Sequence, residues 1–394
     1  MRFAGLLVVV ALAAVPGGPA FAIDPWPAEP KPAATNLTPV EGPEPNDFHA
    51  DLSGLAWNPA TRRLWGVRNG PGADNSKLWA LREDGAGGWV VDEQDGRRAE
   101  WTGFGDLEDV TQADYGESVV YMIVEGEERI REYDVSVYGV RTLRNDWNTR
   151  SYLPLNGSSG AEGITFVPDE FLAAQGFVDG AGNPYRSRRG MGGLMFVGHQ
   201  NGGSVFAFDL DRSDGTFDFV GEYRTSYPET AALAFDRSLG VLYAWHDDGY
   251  DTLEKCRLSS QPVAGQTWRR LDSIRVFAGP DHANNEGVAL FPVEECRDGH
   301  RPFFMAVDGG GPDSLFEYRQ FSDGCESLMV DAGVSKSPTE RVELRWNLGP
   351  APYTLRRATT PGFRDGVVLV DHQNVTAYDD DVMHDGLTYF YRLD

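Results

Sequence analysis

Short apolar runs separated by turn-forming residues recur five times along this chain. Each repeat opens with a small or acidic residue that is followed by apolar residues and then by a turn. The five opening segments are residues 53–57, 108–111, 162–166, 231–235 and 286–290. The first two intervals are 55 and 54 residues, and the third is longer because residues 168–189 are inserted. A pattern that returns at a fixed period indicates a repeat architecture.

Two further apolar segments follow each opening segment and end at polar residues. The second segments are residues 64–67, 120–124, 194–197, 242–245 and 303–307, and the third are residues 77–81, 129–133, 204–208, 252–258 and 314–318. Their alternation of apolar and polar positions is typical of antiparallel strands. Strand triples that need a neighbour to cover their faces describe propeller blades. We therefore predict an all-β fold, with a β-propeller of about five blades over residues 49–326. Strands within residues 35–50 would either close this ring or add a sixth blade.

The N-terminal 22 residues have the pattern of a secretory signal peptide. Arg2 supplies a positive charge, residues 6–15 are apolar, and Ala20-Phe21-Ala22 forms a small-x-small cleavage site. No later stretch approaches the roughly 20 apolar residues of a membrane span. We expect an exported protein, secreted or periplasmic, with no integral membrane segment and with a linker over residues 23–48.

The composition changes after Cys325. Residues 327–340 are predicted as a linker, and residues 342–346, 353–357 and 388–392 as strands. These strands resemble those of the fibronectin type III domain, although residues 341–394 are fewer than the roughly 100 of a full sandwich. The resemblance implies a partial β-sandwich, incomplete at its C-terminal end, that serves as a spacer or adhesion unit.

The chain is strongly acidic, with 60 Asp and Glu against 35 Lys and Arg and a net charge of -25. Such a charge excludes nucleic acid and anionic membranes as partners and attracts cations. Of the three cysteines, Cys296 and Cys325 flank one strand pair, so we predict a disulfide between them and a free thiol at Cys256. No cysteine spacing indicates a zinc site.

Acidic residues recur where the predicted inner strands begin and where the second strands end. In a propeller these positions lie on one face of the disc, around one opening of the channel. The predicted metal ligands are Glu108, Glu125, Glu162, Glu286 and Asp308, with Asp106, Asp109 and Asp247 nearby. Clustered carboxylates suit Ca²⁺, which takes six to eight oxygen ligands. The alternative is that these acids cap strand ends and bind water.

Other polar residues fall at the same predicted opening. His199 and His246 are candidate general bases, although lone histidines at strand ends are usually hydrogen-bonded turn residues. Arg68, Asn69 and Asn285 are candidate substrate-binding residues, with a blade-to-blade ion pair as the alternative role of Arg68. Only Arg68, Lys77 and Arg129 are basic near this opening, and the surroundings of Ser53 do not match a Gly-x-Ser-x-Gly nucleophile motif.

Residues 160–166 and 284–290 resemble the blade motif of the SdiA-regulated and esterase-like-phytase propeller group. The resemblance covers residues 49–326 and implies the overall form of calcium-dependent β-propeller phytases. The Glu-Gly pair of the motif is present at Glu162 and Glu286, whereas Glu108 precedes Asp109 and Ala231 stands where another acid is expected.

Two functions follow as hypotheses. The first is an exported, calcium-stabilised and monomeric β-propeller that binds a small molecule, a glycan or a protein at one face. The alternative is a metal-dependent hydrolase of phosphoesters, as in phytases, or of carboxylic esters. The scarcity of basic residues and the absence of a nucleophile motif favour the first, and the two histidines among the acids favour the second.

Overall fold

The computed structural model describes residues 23–41, 48, 51–70, 76–154, 160–247, 249–325, 331–334, 342–345, 353–359, 366–373, 377–380 and 390–393. The predicted signal peptide over residues 1–22 lies outside these ranges. The chain divides into two compact units. The first comprises Met1–Glu295 and Arg301–Phe321, and the second comprises Cys296–His300 and Ser322–Asp394.

Five groups of antiparallel strands form the blades of a propeller in the first unit. Blade 1 contains strands Leu52–Asn58, Arg63–Arg68 and Lys77–Glu83, with Trp89–Val91 and Glu100–Thr102 at its outer edge. Blade 2 contains Leu107–Thr111, Val119–Val124, Arg129–Val137 and Val140–Asn148. Blade 3 contains Ala161–Pro168, Gly193–His199, Ser204–Leu210 and Phe217–Arg224. Blade 4 contains Ala232–Asp236, Val241–His246, Thr252–Pro262 and Arg269–Ala278. Blade 5 contains Asn285–Leu290, Arg301–Val307, Leu315–Phe321 and, from the N-terminus, Thr35–Asn36. The outer strands of blades 3 and 4 also pair with each other in parallel, Tyr223 with Arg269 and Arg224 with Arg270.

Several short strands and helical turns lie outside the blade strands. Strands Glu93–Gln94 and Arg97–Arg98 form a hairpin after blade 1, and helix Asp169–Ala174 lies in the insertion between the first two strands of blade 3. Four 3₁₀ turns span Lys31–Ala33, Thr38–Glu41, Val293–Glu295 and Gly311–Asp313. None of the helices in the described ranges is long and apolar enough to cross a bilayer.

The N-terminal segment closes the ring. Thr35 and Asn36 pair antiparallel with Glu317 and Phe316 at the outer edge of blade 5. Strand Ile23–Asp24 pairs in parallel with the outer strand of blade 4. The described part of the predicted linker therefore belongs to the propeller, and the ring formed by the described residues has five blades.

The hydrophobic core is divided among the five interfaces between neighbouring blades. Successive side chains of an inner strand point to opposite sides, so one strand serves two interfaces. In blade 1, Leu55 and Trp57 pack against blade 5, where Trp57 stacks on Phe291 at 4.1 Å between ring centroids, and Ala56 packs against blade 2. Each blade therefore depends on its neighbours to bury its faces.

Inner strands of neighbouring blades approach each other closely where the glycines of the repeat lie. A Cβ atom at Gly287 would lie 2.3 Å from the carbonyl oxygen of Ser53, and one at Gly163 would lie 2.8 Å from the nitrogen of Leu233. Real Cβ atoms do not approach other heavy atoms so closely, because such distances lie well inside van der Waals contact. In each Glu-Gly pair, the glutamate thus places a carboxyl group at the channel. The glycine, which has no side chain, leaves room for the inner strand of the adjoining blade.

The described residues of the second unit form two three-stranded antiparallel sheets. One consists of Asp331–Val334, Val342–Arg345 and Ala377–Asp380, and the other of Val367–Gln373, Tyr353–Ala358 and Phe390–Leu393. Arg357 connects them through its Nη1 atom, which lies 2.8 and 2.9 Å from the two carboxylate oxygens of Asp380. These sheets form the partial β-sandwich. The predicted disulfide between Cys296 and Cys325 is present in this unit, whereas Cys256 is a buried free thiol.

Candidate functional site

Strand pairing places the starts of the inner strands beside the ends of the second strands. Leu107 pairs with Val124 in blade 2, and Asn285 pairs with Val307 in blade 5. The residues that follow or precede these pairs therefore meet at one opening of the channel. We call this opening the acidic mouth and define it by Asp51, Asp106, Glu108, Glu125, Glu162, Glu286 and Asp308.

Three carboxylates of the acidic mouth meet around one point. Oxygen atoms of Asp106, Glu108 and Glu125 all lie within 4.8 Å of one another. Calcium binds oxygens at about 2.3–2.6 Å, so ligands on opposite sides of the ion are up to about 5 Å apart. The spacing of these three oxygens therefore fits coordination of a single calcium ion.

Burial and mutual repulsion raise the pKa values of these acids. Glu108 is 2 % exposed and Glu162 is 5 % exposed. Burial, followed by the charges of neighbouring mouth carboxylates, holds the pKa of both groups well above the ordinary range. Burial and the charge of Asp106 also raise the pKa of Glu125, although its hydrogen bond with Glu162 acts in the opposite direction. These carboxylates need a proton or a cation between them.

A second group of acids lies on the blade 5 side of the same mouth. Burial, followed by the charge of Asp308, raises the pKa of Glu286 to about 8. Burial, followed by the charge of Asp51, raises the pKa of Asp308 to about 6. Asn284 donates hydrogen bonds from Nδ2 to Glu286 Oε1 and to Asp308 Oδ2, each at 3.0 Å, whereas Asp308 Oδ1 is buried without a hydrogen-bond partner.

Neutral side chains connect the two groups of acids. The Ser53 hydroxyl lies 3.0 Å from Glu108 Oε2 and 3.2 Å from Glu286 Oε2. Asn69 donates from Nδ2 to Glu108 Oε1 at 2.9 Å. Of the predicted substrate-binding residues, Asn69 thus contacts a mouth carboxylate. Arg68 ends the second strand of blade 1, where it pairs with Leu52.

Asn285 lies away from the mouth carboxylates that its neighbour Asn284 contacts. It is fully buried and donates from Nδ2 to Asp281 Oδ1 at 3.2 Å and to the Ala283 carbonyl oxygen at 3.0 Å. Asn284 is therefore a mouth residue that the sequence reasoning missed. The polar run at residues 281–285 was the signal that could have indicated it.

Asp109 occupies the position at which the motif has glycine, and its carboxylate makes hydrogen bonds within the scaffold. Its carboxylate accepts hydrogen bonds from the Ile164 N–H at 2.8 Å and from the Val110 N–H at 2.7 Å. Gly54 provides the space, because a Cβ there would lie 2.3 Å from Asp109 Oδ1. Asp109 therefore links the inner strands of blades 2 and 3, beneath the mouth.

His199 is fully buried and hydrogen-bonded at both ring nitrogens. The Asn201 N–H donates to Nδ1 at 2.9 Å, so Nε2 carries the proton and donates to the Pro154 carbonyl oxygen at 2.9 Å. Burial lowers the pKa of this ring. These contacts match the turn-residue alternative, and the general-base role of His199 stays a prediction.

His246 has a similar environment in blade 4. It is fully buried, with Nδ1 against the Glu229 carbonyl oxygen and Nε2 3.1 Å from Glu254 Oε2. Burial alone would raise the pKa of Glu254, but the hydrogen bond and charge of His246 oppose it, and the pKa falls to about 2. The base role of His246 likewise stays a prediction.

Lys77 and Arg129, two basic residues predicted to lie near the mouth, are held in ion pairs. Lys77 Nζ lies 3.1 Å from Glu100 Oε1, and Arg129 Nη1 lies 3.0 Å from Asp146 Oδ1. The positive charges of Lys77 and Arg129 are therefore paired with these carboxylates.

Comparison with known proteins gives no family assignment. No family model and no curated protein matches the chain. Solved structures with β-propeller character include a nidogen/laminin complex, with 11% identity, a TM-score of 0.35, and coverage of 68% of this chain and 84% of the other. They also include a protein described as a 6-phosphogluconolactonase from Bacteroides fragilis, with 11% identity, a TM-score of 0.35, and coverage of 83% and 86%. At these values the propeller assignment rests on the sheet topology of this chain.

Proposed function

We propose that the acidic mouth binds calcium and that the protein is an exported β-propeller that binds a ligand or partner through this cation-loaded face. The observation that carries the proposal is the convergence of oxygens from Asp106, Glu108 and Glu125 within 4.8 Å. These three residues come from the start of the inner strand of blade 2 and from the end of its second strand. One blade therefore supplies a set of ligands that the neighbouring acids extend.

The chemistry of the donors supports calcium over softer metals. The seven residues that define the mouth offer carboxylate oxygens and include no thiol or imidazole. Oxygen-only sites of flexible geometry suit Ca²⁺, whereas copper and zinc prefer sulfur and nitrogen ligands. A divalent ion would also relieve the repulsion that raises the pKa values of Glu108 and Glu162.

The surroundings of the mouth favour binding over hydrolysis. Phosphoester hydrolysis would use the metal to polarise the phosphate and basic side chains to hold its oxygens. Lys77 and Arg129 pair with Glu100 and Asp146, and both ring nitrogens of His199 and His246 are hydrogen-bonded. Among the described residues, the two histidines predicted as bases are therefore engaged in other hydrogen bonds.

Export is part of the same proposal. The disulfide between Cys296 and Cys325 fits an oxidising compartment. The N-terminal pattern of the sequence predicts cleavage after Ala22, and the mass of the exported protein would show whether it begins at Ile23.

Calcium binding is tested by thermal unfolding of the EDTA-treated protein with and without added Ca²⁺. A ligand that binds only the native state at 100 times its Kd stabilises it by about 2.7 kcal/mol. We expect Ca²⁺ to raise the Tm of the wild type and of the control Glu93→Gln, which changes an exposed residue outside the mouth. Glu108→Gln and Glu125→Gln should lose the increase. An unchanged Tm of the wild type would overturn the calcium site.

The hydrolase alternative has its own readout. p-Nitrophenyl phosphate and p-nitrophenyl acetate are offered to the calcium-loaded protein. Release of p-nitrophenol that requires Ca²⁺ and is lost in Glu108→Gln would establish hydrolysis and replace the binding proposal. If calcium binds without turnover, glycan arrays and protein pull-downs in Ca²⁺, with Glu108→Gln as the control, identify the bound partner.

A further inference from the structure

The end of the channel opposite the acidic mouth contains a separate cavity. It is lined by the later residues of all five inner strands and by the turns after them, including Trp57, Tyr115, Ile164, Phe235, Arg237 and Leu290. We call it the distal cavity. Its volume is about 80 Å³, well below the roughly 300–1,000 Å³ of drug-sized ligand sites, so it suits only a small molecule.

Arg237 reaches across this end of the channel. It lies in the turn between the first two strands of blade 4, Ala232–Asp236 and Val241–His246. Its Nη2 atom donates to the Gln112 carbonyl oxygen in blade 2 at 2.7 Å, and its guanidinium carbon lies 4.0 Å from the ring centroid of Tyr115. Blades 2 and 4 are not neighbours in the ring. The guanidinium therefore spans the channel and is fixed by stacking and by one hydrogen bond.

The charge of Arg237 has no ion-pair partner within the part of the chain that the structure describes. Its Nε atom is buried and makes no hydrogen bond. The preceding carboxylate cannot neutralise it, since Asp236 Oδ2 lies 2.6 Å from Arg301 Nη1 and Asp236 Oδ1 accepts from the Ser238 N–H at 2.8 Å. Burial lowers the pKa of Arg237, as expected for a cation removed from water. A buried donor without an acceptor is costly, so the site is poised for an anionic acceptor.

Two other polar side chains of the distal cavity, those of Gln112 and Thr165, already make hydrogen bonds. Gln112 Oε1 accepts from Asn58 Nδ2 at 2.7 Å and from Trp65 Nε1 at 2.8 Å, and Gln112 Nε2 donates to two backbone carbonyl oxygens. Thr165 Oγ1 accepts from the Phe235 N–H at 3.1 Å. The remaining wall is largely apolar, with Ile164, Leu233 and Leu290 among its side chains.

We propose that the distal cavity binds a small organic monocarboxylate, whose carboxylate pairs with Arg237 and whose apolar body lies along the inner strands. A guanidinium pairs with a carboxylate through hydrogen bonds from its N–H groups. Arg237 lines the cavity, and among the described residues only its Nη2 atom makes a hydrogen bond. A single cation suits one negative charge better than a polyphosphate. The apolar wall suits an aliphatic or aromatic body. This site is built from different residues than the acidic mouth and does not depend on calcium.

The proposal is tested with butyrate and benzoate, and with 1-butanol as the neutral analogue of butyrate. Binding is measured by isothermal titration calorimetry and by the fluorescence of Trp57 and the other tryptophans, in Ca²⁺ and in EDTA. We expect at least one of the two carboxylates to bind, at least tenfold more tightly than 1-butanol, and equally with and without Ca²⁺. Arg237→Gln should weaken carboxylate binding at least tenfold, and Arg237→Lys should weaken it less.

Two further variants test whether a loss of binding is specific to the distal cavity. Arg144→Gln removes an exposed arginine that pairs with Asp134 at 2.6 Å in blade 2, and it should bind like the wild type. Ala234→Leu keeps Arg237 and fills the cavity from the wall, so it should also lose binding while its Tm shows that it folds. Failure of both carboxylates to bind, equal binding of 1-butanol, or wild-type binding by Arg237→Gln would each overturn the proposal.

Discussion

Substitution of Glu286 by glutamine in the cation-free protein tests the electrostatic description of the acidic mouth directly. Glutamine keeps the shape of the protonated carboxyl group and removes its charge. Asn284 can still donate to the amide oxygen, and the amide can donate to the Ser53 hydroxyl, which remains within reach of Glu108. The substitution therefore changes the charge while it retains the hydrogen bonds.

The expected magnitude follows from the raised pKa of Glu286. Because the folded pKa of about 8 lies above the ordinary 4.5, the native state holds this proton more tightly than the unfolded chain. The stability that the proton contributes is complete below pH 4.5 and is lost as the pH rises through 8. At roughly 1.4 kcal/mol per pH unit, the wild type loses about 3 kcal/mol by pH 7 and about 5 kcal/mol by pH 9. Glu286→Gln avoids this loss.

The assay is urea unfolding in EDTA at pH 4.5, 7 and 9, followed by tryptophan fluorescence. We expect Glu286→Gln to match the wild type at pH 4.5 and to exceed its unfolding free energy by several kcal/mol at pH 9. The control Glu93→Gln, at an exposed position, should follow the wild type at every pH. Equal or lower stability of Glu286→Gln at pH 9 would refute the reasoning, since it would mean that the carboxylate is not held in a destabilising environment.

Two more predictions concern the propeller scaffold. Arg301 is 0 % exposed and its Nη1 atom lies 2.6 Å from Asp236 Oδ2. Arg301→Ala would leave this buried carboxylate unpaired, so we expect it to lower the unfolding free energy in urea by about 3–5 kcal/mol. A decrease of less than about 1 kcal/mol would contradict this role. Gly287→Ala should cost about 1–3 kcal/mol, because its Cβ would lie 2.3 Å from the Ser53 carbonyl oxygen and separate blades 1 and 5. Gly116→Ala, where the nearest atom is the Asp114 side chain at 3.3 Å, is the matched control and should cost less.

The blades could be predicted from the sequence because each repeat has the same short-range pattern. Period-two alternation locates strands, and the recurring acid at Glu108, Glu162 and Glu286 marks the same position in three inner strands. Antiparallel pairing then fixes which strand ends meet. Strand order and strand direction were therefore enough to predict that the acids lie around one opening.

The closing strand Thr35–Asn36 could not be assigned in the same way. It is two residues long and has no repeat pattern, and its position depends on pairing with residues about 280 positions later, such as Phe316 and Glu317. A contact so distant in sequence is specified only by the closed ring. For the same reason the sequence left five and six blades as alternatives.

The hydrogen-bonding environments of the two histidines and of Arg237 could not be predicted from the sequence either. His199 is hydrogen-bonded to the Pro154 carbonyl oxygen, and Arg237 to the Gln112 carbonyl oxygen. Backbone acceptors carry no residue signature, so side-chain type alone could not distinguish a hydrogen-bonded histidine from a general base. It also could not indicate that a turn residue of blade 4 reaches blade 2.

The direction of the inner strands accounts for the different chemistry of the two channel openings. All five run the same way, so their first residues form one opening and their last residues form the other. Acids at the starts, such as Glu162 and Glu286, produce a mouth that repels anions, whereas Trp57, Phe235 and Leu290 near the ends produce an apolar wall with Arg237 across it. The proposed cation site and the proposed carboxylate site therefore lie at opposite openings of the channel. A cation and a carboxylate bound at these sites would not compete with each other.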